Sequence, residues 1–140
     1  EIEMLEKPIE MPLMQESLPD LLLVEDNLIN KIAVVSFLKN ICNVEHAKTG
    51  EAAIMKAIEK KYSVILMDIN LGSGIDGIEC SKSIRKISGY ENVPIVAVTG
   101  YSMESDKLKI LAEGLTHYLV KPFTKNELSN LVVSILSRLN

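Results

Sequence analysis

Leu21-Leu22-Leu23-Val24-Glu25-Asp26 and Val64-Ile65-Leu66-Met67-Asp68 decide how this chain folds. Each is a short apolar run that ends on carboxylates. Two further runs follow the same plan: Ile95-Val96-Ala97-Val98 ends on Thr99, and Tyr118-Leu119-Val120 on Lys121-Pro122. Continuous apolar runs of this length, bounded by polar residues, read as parallel strands buried on both faces. In an open α/β sheet, ligands bind outside the carboxyl ends of the strands. Three carboxylates, a hydroxyl and an ammonium are therefore expected at one edge of the sheet, a set suited to holding a divalent cation and an anionic group together.

Between these runs lie helical patterns. Residues 28–40 carry Leu28, Ile32, Val35 and Leu38 at helical spacing, and residues 51–60 carry Ala53, Ile54, Ala57 and Ile58 after Thr49-Gly50. Residues 77–87 carry Cys80, Ile84 and Ile87; residues 103–113 carry Leu108 and Leu111 and end at Gly114, a natural C-cap. In the last helix Leu128, Leu131, Val132, Ile135, Leu136 and Leu139 repeat at a 3.6-residue period. A fifth, weaker strand at Val44, His46 and Ala47 reads as an edge strand. Strand and helix alternating five times imply a doubly wound α/β fold, a parallel sheet with helices on both faces. Residues 1–18, with Pro8, Pro12 and no sustained period, read as a linker or N-terminal extension, and 19–140 as the domain. The chain does not begin with Met and reads as a segment of something longer.

Composition narrows the function. The 140 residues suit one domain with its own core, and 47% hydrophobic with 24% charged residues is ordinary for a globular protein. A net charge of −4 lacks the basic footprint of a nucleic-acid binder. Cys42 and Cys80 fit no metal or redox spacing and read as small core or near-surface residues of a reduced compartment. His46 and His117 stand apart from any ligand pattern and read as structural or surface residues. No stretch is long and apolar enough to span a membrane, and no signal peptide is visible, so a cytoplasmic location is expected, with an anchor on a parent chain left open.

The chemistry of the strand ends is specific. Carboxylates crowded within a few ångströms repel unless a cation neutralises them. Mg²⁺ suits such a place: it takes oxygen ligands, commonly one or two carboxylates plus phosphate oxygens. Lys121 brings a point charge suited to phosphate, Thr99 a hydroxyl donor, and Gly100 room beside it. A carboxylate can itself act as nucleophile and become an aspartyl phosphate. Singly, each residue has an ordinary explanation: Glu25-Asp26 as a helix cap, Asp68 as a turn residue, Thr99 as a strand end, Lys121 as solvated surface. Those explanations leave the shared placement at strand carboxyl ends unaccounted for.

Five segments in order, Leu22-Leu23-Val24-Glu25-Asp26-Asn27, Leu66-Met67-Asp68-Ile69, Asp76-Gly77-Ile78-Glu79, Val98-Thr99-Gly100 and Tyr118-Leu119-Val120-Lys121-Pro122-Phe123, resemble the receiver domain of two-component response regulators. The resemblance covers roughly Asp20 to Asn140. It implies a flavodoxin-like sheet of order 2-1-3-4-5 with five helices, which sets strands one and three side by side. It implies Asp68 as phosphoryl acceptor, with Mg²⁺ held by Glu25, Asp26, Asp68 and the backbone carbonyl of Asn70. Thr99 and Lys121 take the roles of switch hydroxyl and phosphate-pairing lysine, Tyr118 that of the switch aromatic, and Lys121-Pro122 that of a cis bond. The implied partner is a histidine kinase or histidine phosphotransfer domain, in a phosphorelay, with no enzyme activity beyond self-phosphorylation and self-dephosphorylation and no nucleic-acid or membrane contact by this segment.

Glu25-Asp26-Asn27 followed by Asn30 is similar to receivers of hybrid sensor histidine kinases. One departure stands out: the loop Asn70-Leu71-Gly72-Ser73-Gly74-Ile75-Asp76-Gly77 has Gly72 where the family usually has proline, and one extra residue. Two added glycines are expected to loosen it. Two other classes compete. A phosphohydrolase with an aspartyl nucleophile, of the haloacid-dehalogenase kind, would carry the nucleophile on the first strand and a second Asp two residues on, where this chain has Asn70 after Asp68. A degenerate receiver serving only as an interaction module would lack part of the acid, Thr and Lys set.

Overall fold

Five parallel strands form one sheet in the order β2-β1-β3-β4-β5: β1 Asp20–Val24, β2 Asn43–Ala47, β3 Val64–Asp68, β4 Ile95–Thr99 and β5 His117–Val120. The structure, a computed structural model, describes residues 18–100 and 109–139. The linker expected at 1–18 lies, but for Leu18, outside the described residues. So do positions 103–108 of the fourth helix expected from the sequence.

The three central strands β1, β3 and β4 are apolar because both faces are covered, whereas β5 at one edge is half-buried throughout and β2 at the other carries Asn43, Glu45 and His46. Leu22, Val24, Ile65, Met67, Ile95 and Ala97 point to one face, where they meet Ala53, Ala57, Cys80, Ile84, Ile110 and Leu115. Leu21, Leu23, Val64, Leu66, Val96 and Val98 point to the other, against Val34, Leu38, Leu128, Val132 and Ile135. This period-two alternation divides every run between two cores. Each fully buried Leu or Ile contributes roughly 1.5–3 kcal/mol. The helices are α1 Leu28–Leu38, α2 Gly50–Glu59, α3 Gly77–Arg85, α4 (described over 109–112) and α5 Lys125–Ser137. Cys42 and Cys80 are free and buried, and burial pushes their thiols up to about 11 and about 12.

Two helical readings need correction. In α1 the stripe read from spacing is split: Leu28 and Ile32 face solvent, with exposures of 65% and 58%, Val35 is half-buried, and Leu38 is buried as expected, with Val34 as the second buried residue. In α4 the buried residue is Ile110, while Leu111 is half-buried. An 11-residue helix rich in apolar residues all round gives no unique face to periodicity.

Local chemistry fixes the helix starts. Asn27, Thr49, Asp76 and Thr124 each accept a backbone N–H from three residues on, and Thr124 with Glu127 completes a capping box. Gly77 opens α3 against the backbone of Asp68 and Ile69, and a Cβ there would collide with the Asp68 carbonyl. Its N–H donates to Ile69 O at 3.2 Å. Glycine is what lets α3 start so close to the end of β3.

Candidate functional site

β1 runs out toward β2 on one side and β3 on the other, so the crevice at the topological switch opens above their carboxyl ends. Glu25 and Asp26 follow β1, and Asp68 closes β3. Carboxylate oxygens of Glu25, Asp26 and Asp68 lie within 4.8 Å of one another. Lys121, arriving after β5, places its Nζ 3.3 Å from Asp68 Oδ2 and 3.5 Å from Glu25 Oε1. The Lys121-Pro122 bond is cis, as the family resemblance implies.

Backbone geometry aims these groups. Asn27, rather than Glu25 or Asp26, caps α1 by accepting the Asn30 N–H at 2.9 Å, which leaves both acids for the crevice. Glu25 Oε2 accepts the Asn27 N–H at 3.1 Å. The Glu25 main chain is pinned by its N–H to Ala47 O at 3.1 Å and by His46 Nε2 donating to its carbonyl at 2.7 Å. His46 is thus structural, as read from sequence, yet it braces the site. Asp68 Oδ1 accepts the Asn70 N–H at 3.0 Å. Thr99 is fully buried at the end of β4, one residue beyond Val98, the register partner of Asp68. Tyr118 sits in β5 opposite Ala97, half-buried against the core that carries α2 and α3.

Electrostatics mark the cluster as incomplete by itself. Burial, reinforced by the neighbouring Asp68 carboxylate and opposed by Lys121 and the Asn27 N–H, pushes the Glu25 carboxyl from 4.5 up to about 7. Three carboxylates facing one ammonium fit a divalent cation by their oxygen donors and surplus negative charge. Glu25, Asp26 and Asp68 would hold it.

The glycine-containing loop is tied down rather than loose. Gly72 N–H donates to Asp26 Oδ2 at 2.8 Å, and Ile75 N–H to Glu51 Oε2 at 3.2 Å. Sequence reasoning missed both contacts, whose partners are 46 and 24 residues apart. Beside the acids, a cavity of about 370 Å³ is lined by Asn30, Ala33, Phe37, Pro122 and Phe123 along with Glu25 and Lys121.

Comparison with known proteins agrees with this geometry. Residues 21–133 match the response regulator receiver domain, and the chain belongs to that family. It is 32% identical over 111 residues to the signal transduction histidine-protein kinase BarA of Escherichia coli K12, covering 79% of this chain and 12% of that protein. It is 29% identical over 126 residues to the sensor protein GacS of Pseudomonas syringae, covering 87% of this chain and 14% of that one. The chain therefore spans about an eighth of the length of these curated relatives. Among solved structures, the receiver domain of sensor histidine kinase PA1611 from Pseudomonas aeruginosa has a TM-score of 0.78 at 30% identity. The match covers 86% of this chain and 99% of that one, which has a magnesium ion coordinated in its active-site cleft. The chemotaxis response regulator CheY4 of Vibrio cholerae has a TM-score of 0.80 at 29% identity, covering 85% and 99%. The fold is that of receiver domains, and the chain is a receiver domain of two-component signal transduction.

Proposed function

We propose that this domain accepts a phosphoryl group on Asp68 from a phosphohistidine donor. The observation that carries this is Asp68 sharing one crevice with Glu25 and Asp26, with the Lys121 ammonium 3.3 Å from its Oδ2. In the step, an Asp68 carboxylate oxygen forms the new O–P bond as the P–N bond to the donor imidazole breaks. The imidazole leaves with the bonding pair and gains a proton. Catalysis of this kind is mainly in-line positioning and charge neutralisation. Mg²⁺, with Glu25, Asp26, Asp68 and the Asn70 carbonyl as ligands, would supply neutralisation on one side. Lys121 supplies it on the other, and Thr99 donates its hydroxyl to a phosphoryl oxygen.

The donor, a histidine kinase or histidine phosphotransfer domain, must reach the carboxyl edge of the sheet. Leu28, Ile29 and Ile32, at 65%, 76% and 58% exposure, give the start of α1 an apolar surface beside the acids, suited to such a partner. We assign residues 19–140 to the domain and 1–18 to an extension. The parent chain is read as a hybrid histidine kinase working in the cytoplasm, and among the described residues no helix is long and apolar enough to cross a membrane. The domain's own catalysis is confined to self-phosphorylation and self-dephosphorylation. After phosphorylation the added charge, about −1.5 to −2, draws Thr99 and Lys121 inward and lets the Tyr118 ring follow, reshaping the surface over 100–120. Residues 101–108 of that surface lie outside the described residues.

Two experiments test the two parts. With Mg²⁺ and acetyl phosphate, the domain should gain one phosphoryl group by intact mass and Asp68→Asn none; labelling that survives the substitution overturns the assignment. Amide spectra with beryllofluoride should shift through 109–120, and shifts confined to the neighbours of Asp68 would refute the switch.

A further inference from the structure

The segment after β3 is bound to two other elements at once. At one end Gly72 N–H donates to Asp26 Oδ2 at 2.8 Å. At the other, Ile75 N–H donates to Glu51 Oε2 at 3.2 Å, and Glu51 lies in the first turn of α2. Between them Gly74 takes a φ of +72°, and a Cβ at that position would stand 2.5 Å from Glu51 Oε1. The carboxylate of Glu51 thus occupies the space where a side chain at residue 74 would be. Ile75 adds an apolar anchor, its side chain lying over Gly50 and packed with the core.

We infer that Glu51 is a positioning residue for the metal site: by holding residues 74 and 75 it sets the Gly72 N–H on Asp26 and so orients that carboxylate. The inference rests on the proposed Mg²⁺ site. An octahedral ion takes one oxygen of a monodentate carboxylate and leaves the other for an outer hydrogen bond that fixes the carboxylate's rotation. Gly72 N–H, already on Asp26 Oδ2, would be that outer donor. No residue with a side chain fits at 72 without moving Asp26, since its Cβ would fall 2.5 Å from Asp26 Oδ2. The chain's departure at this loop therefore adds a donor to a proposed ligand, and Glu51 holds that donor in place.

Glu51 carries a charge as well as an acceptor, so the test must separate the two. Mg²⁺ affinity is measured by titration calorimetry for the parent domain, Glu51→Ala, Glu51→Gln and Gly74→Ala, with the Gly72 amide followed by NMR. Gln loses the charge but keeps an oxygen to accept the Ile75 N–H. Glu51→Ala and Gly74→Ala should each weaken Mg²⁺ by about tenfold, the lower end of what losing an outer-shell partner costs. Both should speed hydrogen exchange at Gly72, while Glu51→Gln stays within about twofold of the parent. Unchanged affinity in Glu51→Ala, with the parent binding normally, overturns the latch and leaves the site standing. Equal weakening in Gln and Ala overturns it too, because the effect would then be one of charge. A parent domain that binds no Mg²⁺ overturns the site reading and the latch with it.

Discussion

The two ends of this sheet bury polar groups in opposite ways. At the carboxyl end like charges meet: Glu25, Asp26 and Asp68 converge, with Lys121 the ammonium beside them. At the amino end the polar groups around Tyr62, Tyr90 and Arg85 meet complementary ones. Tyr62 OH donates to Glu45 Oε1 at 2.8 Å, Tyr90 OH to Lys60 O at 2.6 Å, and Tyr62 N–H to Tyr90 OH at 3.0 Å. Arg85 Nη1 donates to the carbonyls of Tyr90 and Val93, and its Nε and Nη2 to that of Gly114. Glu45 is also paired with Lys60. A satisfied network stabilises a unique fold, whereas crowded like charges cost stability and persist where a ligand relieves them. The contrast separates the end that holds the fold together from the end that acts.

The largest expected effect breaks the carboxyl end alone. Asp26→Ala should weaken Mg²⁺ binding by at least about a hundredfold, since an inner carboxylate outweighs the outer-shell partners whose loss costs 10–100-fold. Thermal stability in the absence of metal should change by no more than about 1 kcal/mol, relief of like-charge repulsion offsetting the lost Gly72 N–H hydrogen bond. Calorimetric titration and a melting curve read both. A marked fall in metal-free stability would mean that the acids support the fold, and the contrast between the two ends would fail.

A pH series sharpens the same point. The Glu25 carboxyl sits at about 7 in the folded domain against 4.5 ordinarily, so between those values the folded state holds a proton that the unfolded chain has released. Stability from this group is full below about pH 4.5 and is lost as pH rises through about 7. The loss is up to about 3 kcal/mol, each tenfold change in proton affinity being worth about 1.4 kcal/mol. Denaturant melts of the metal-free domain from pH 5 to 8 should show this decline, and Glu25→Gln should flatten it. A decline that persists in Glu25→Gln places its origin elsewhere.

The sequence exposed one of these ends far better than the other. Parallel strands buried on both faces must be apolar runs, so their polar ends stand out, and Glu25, Asp26, Asp68, Thr99 and Lys121 could be read directly. The sheet order came with the family resemblance. The amino-end network left no such trace, because Tyr62 and Tyr90 are separated by 28 residues and no local period connects them. The solvent-facing stripe of α1 misled for a related reason: Leu28 and Ile32 obey helical spacing, yet spacing does not say which stripe the sheet covers. Asn27 could have been found as the cap, since Asx residues lead at that position. The adjacent acids offered the same chemistry and obscured it.

The smallest effects test the amino end. Tyr90→Phe keeps the ring but removes a hydroxyl that both donates to Lys60 O and accepts the Tyr62 N–H, leaving two backbone groups without that partner. An unsatisfied buried group costs about 1–3 kcal/mol, so a loss of about 2 kcal/mol is expected. Tyr62→Phe removes only the donor to Glu45, whose carboxylate keeps Lys60. Its loss should be about 1 kcal/mol, the net worth of one ordinary hydrogen bond. In both variants Mg²⁺ affinity and labelling of Asp68 should stay within about twofold of the parent, since substitutions this far from the crevice share no partner with it. Denaturant melts order the two variants, and titration shows whether the crevice notices them. If Tyr62→Phe proves the more damaging, the Glu45 contact outweighs the backbone groups held by Tyr90. If either one weakens Mg²⁺ tenfold, the two ends of the sheet are coupled through β1 and β3, and the separation between scaffold and site does not hold.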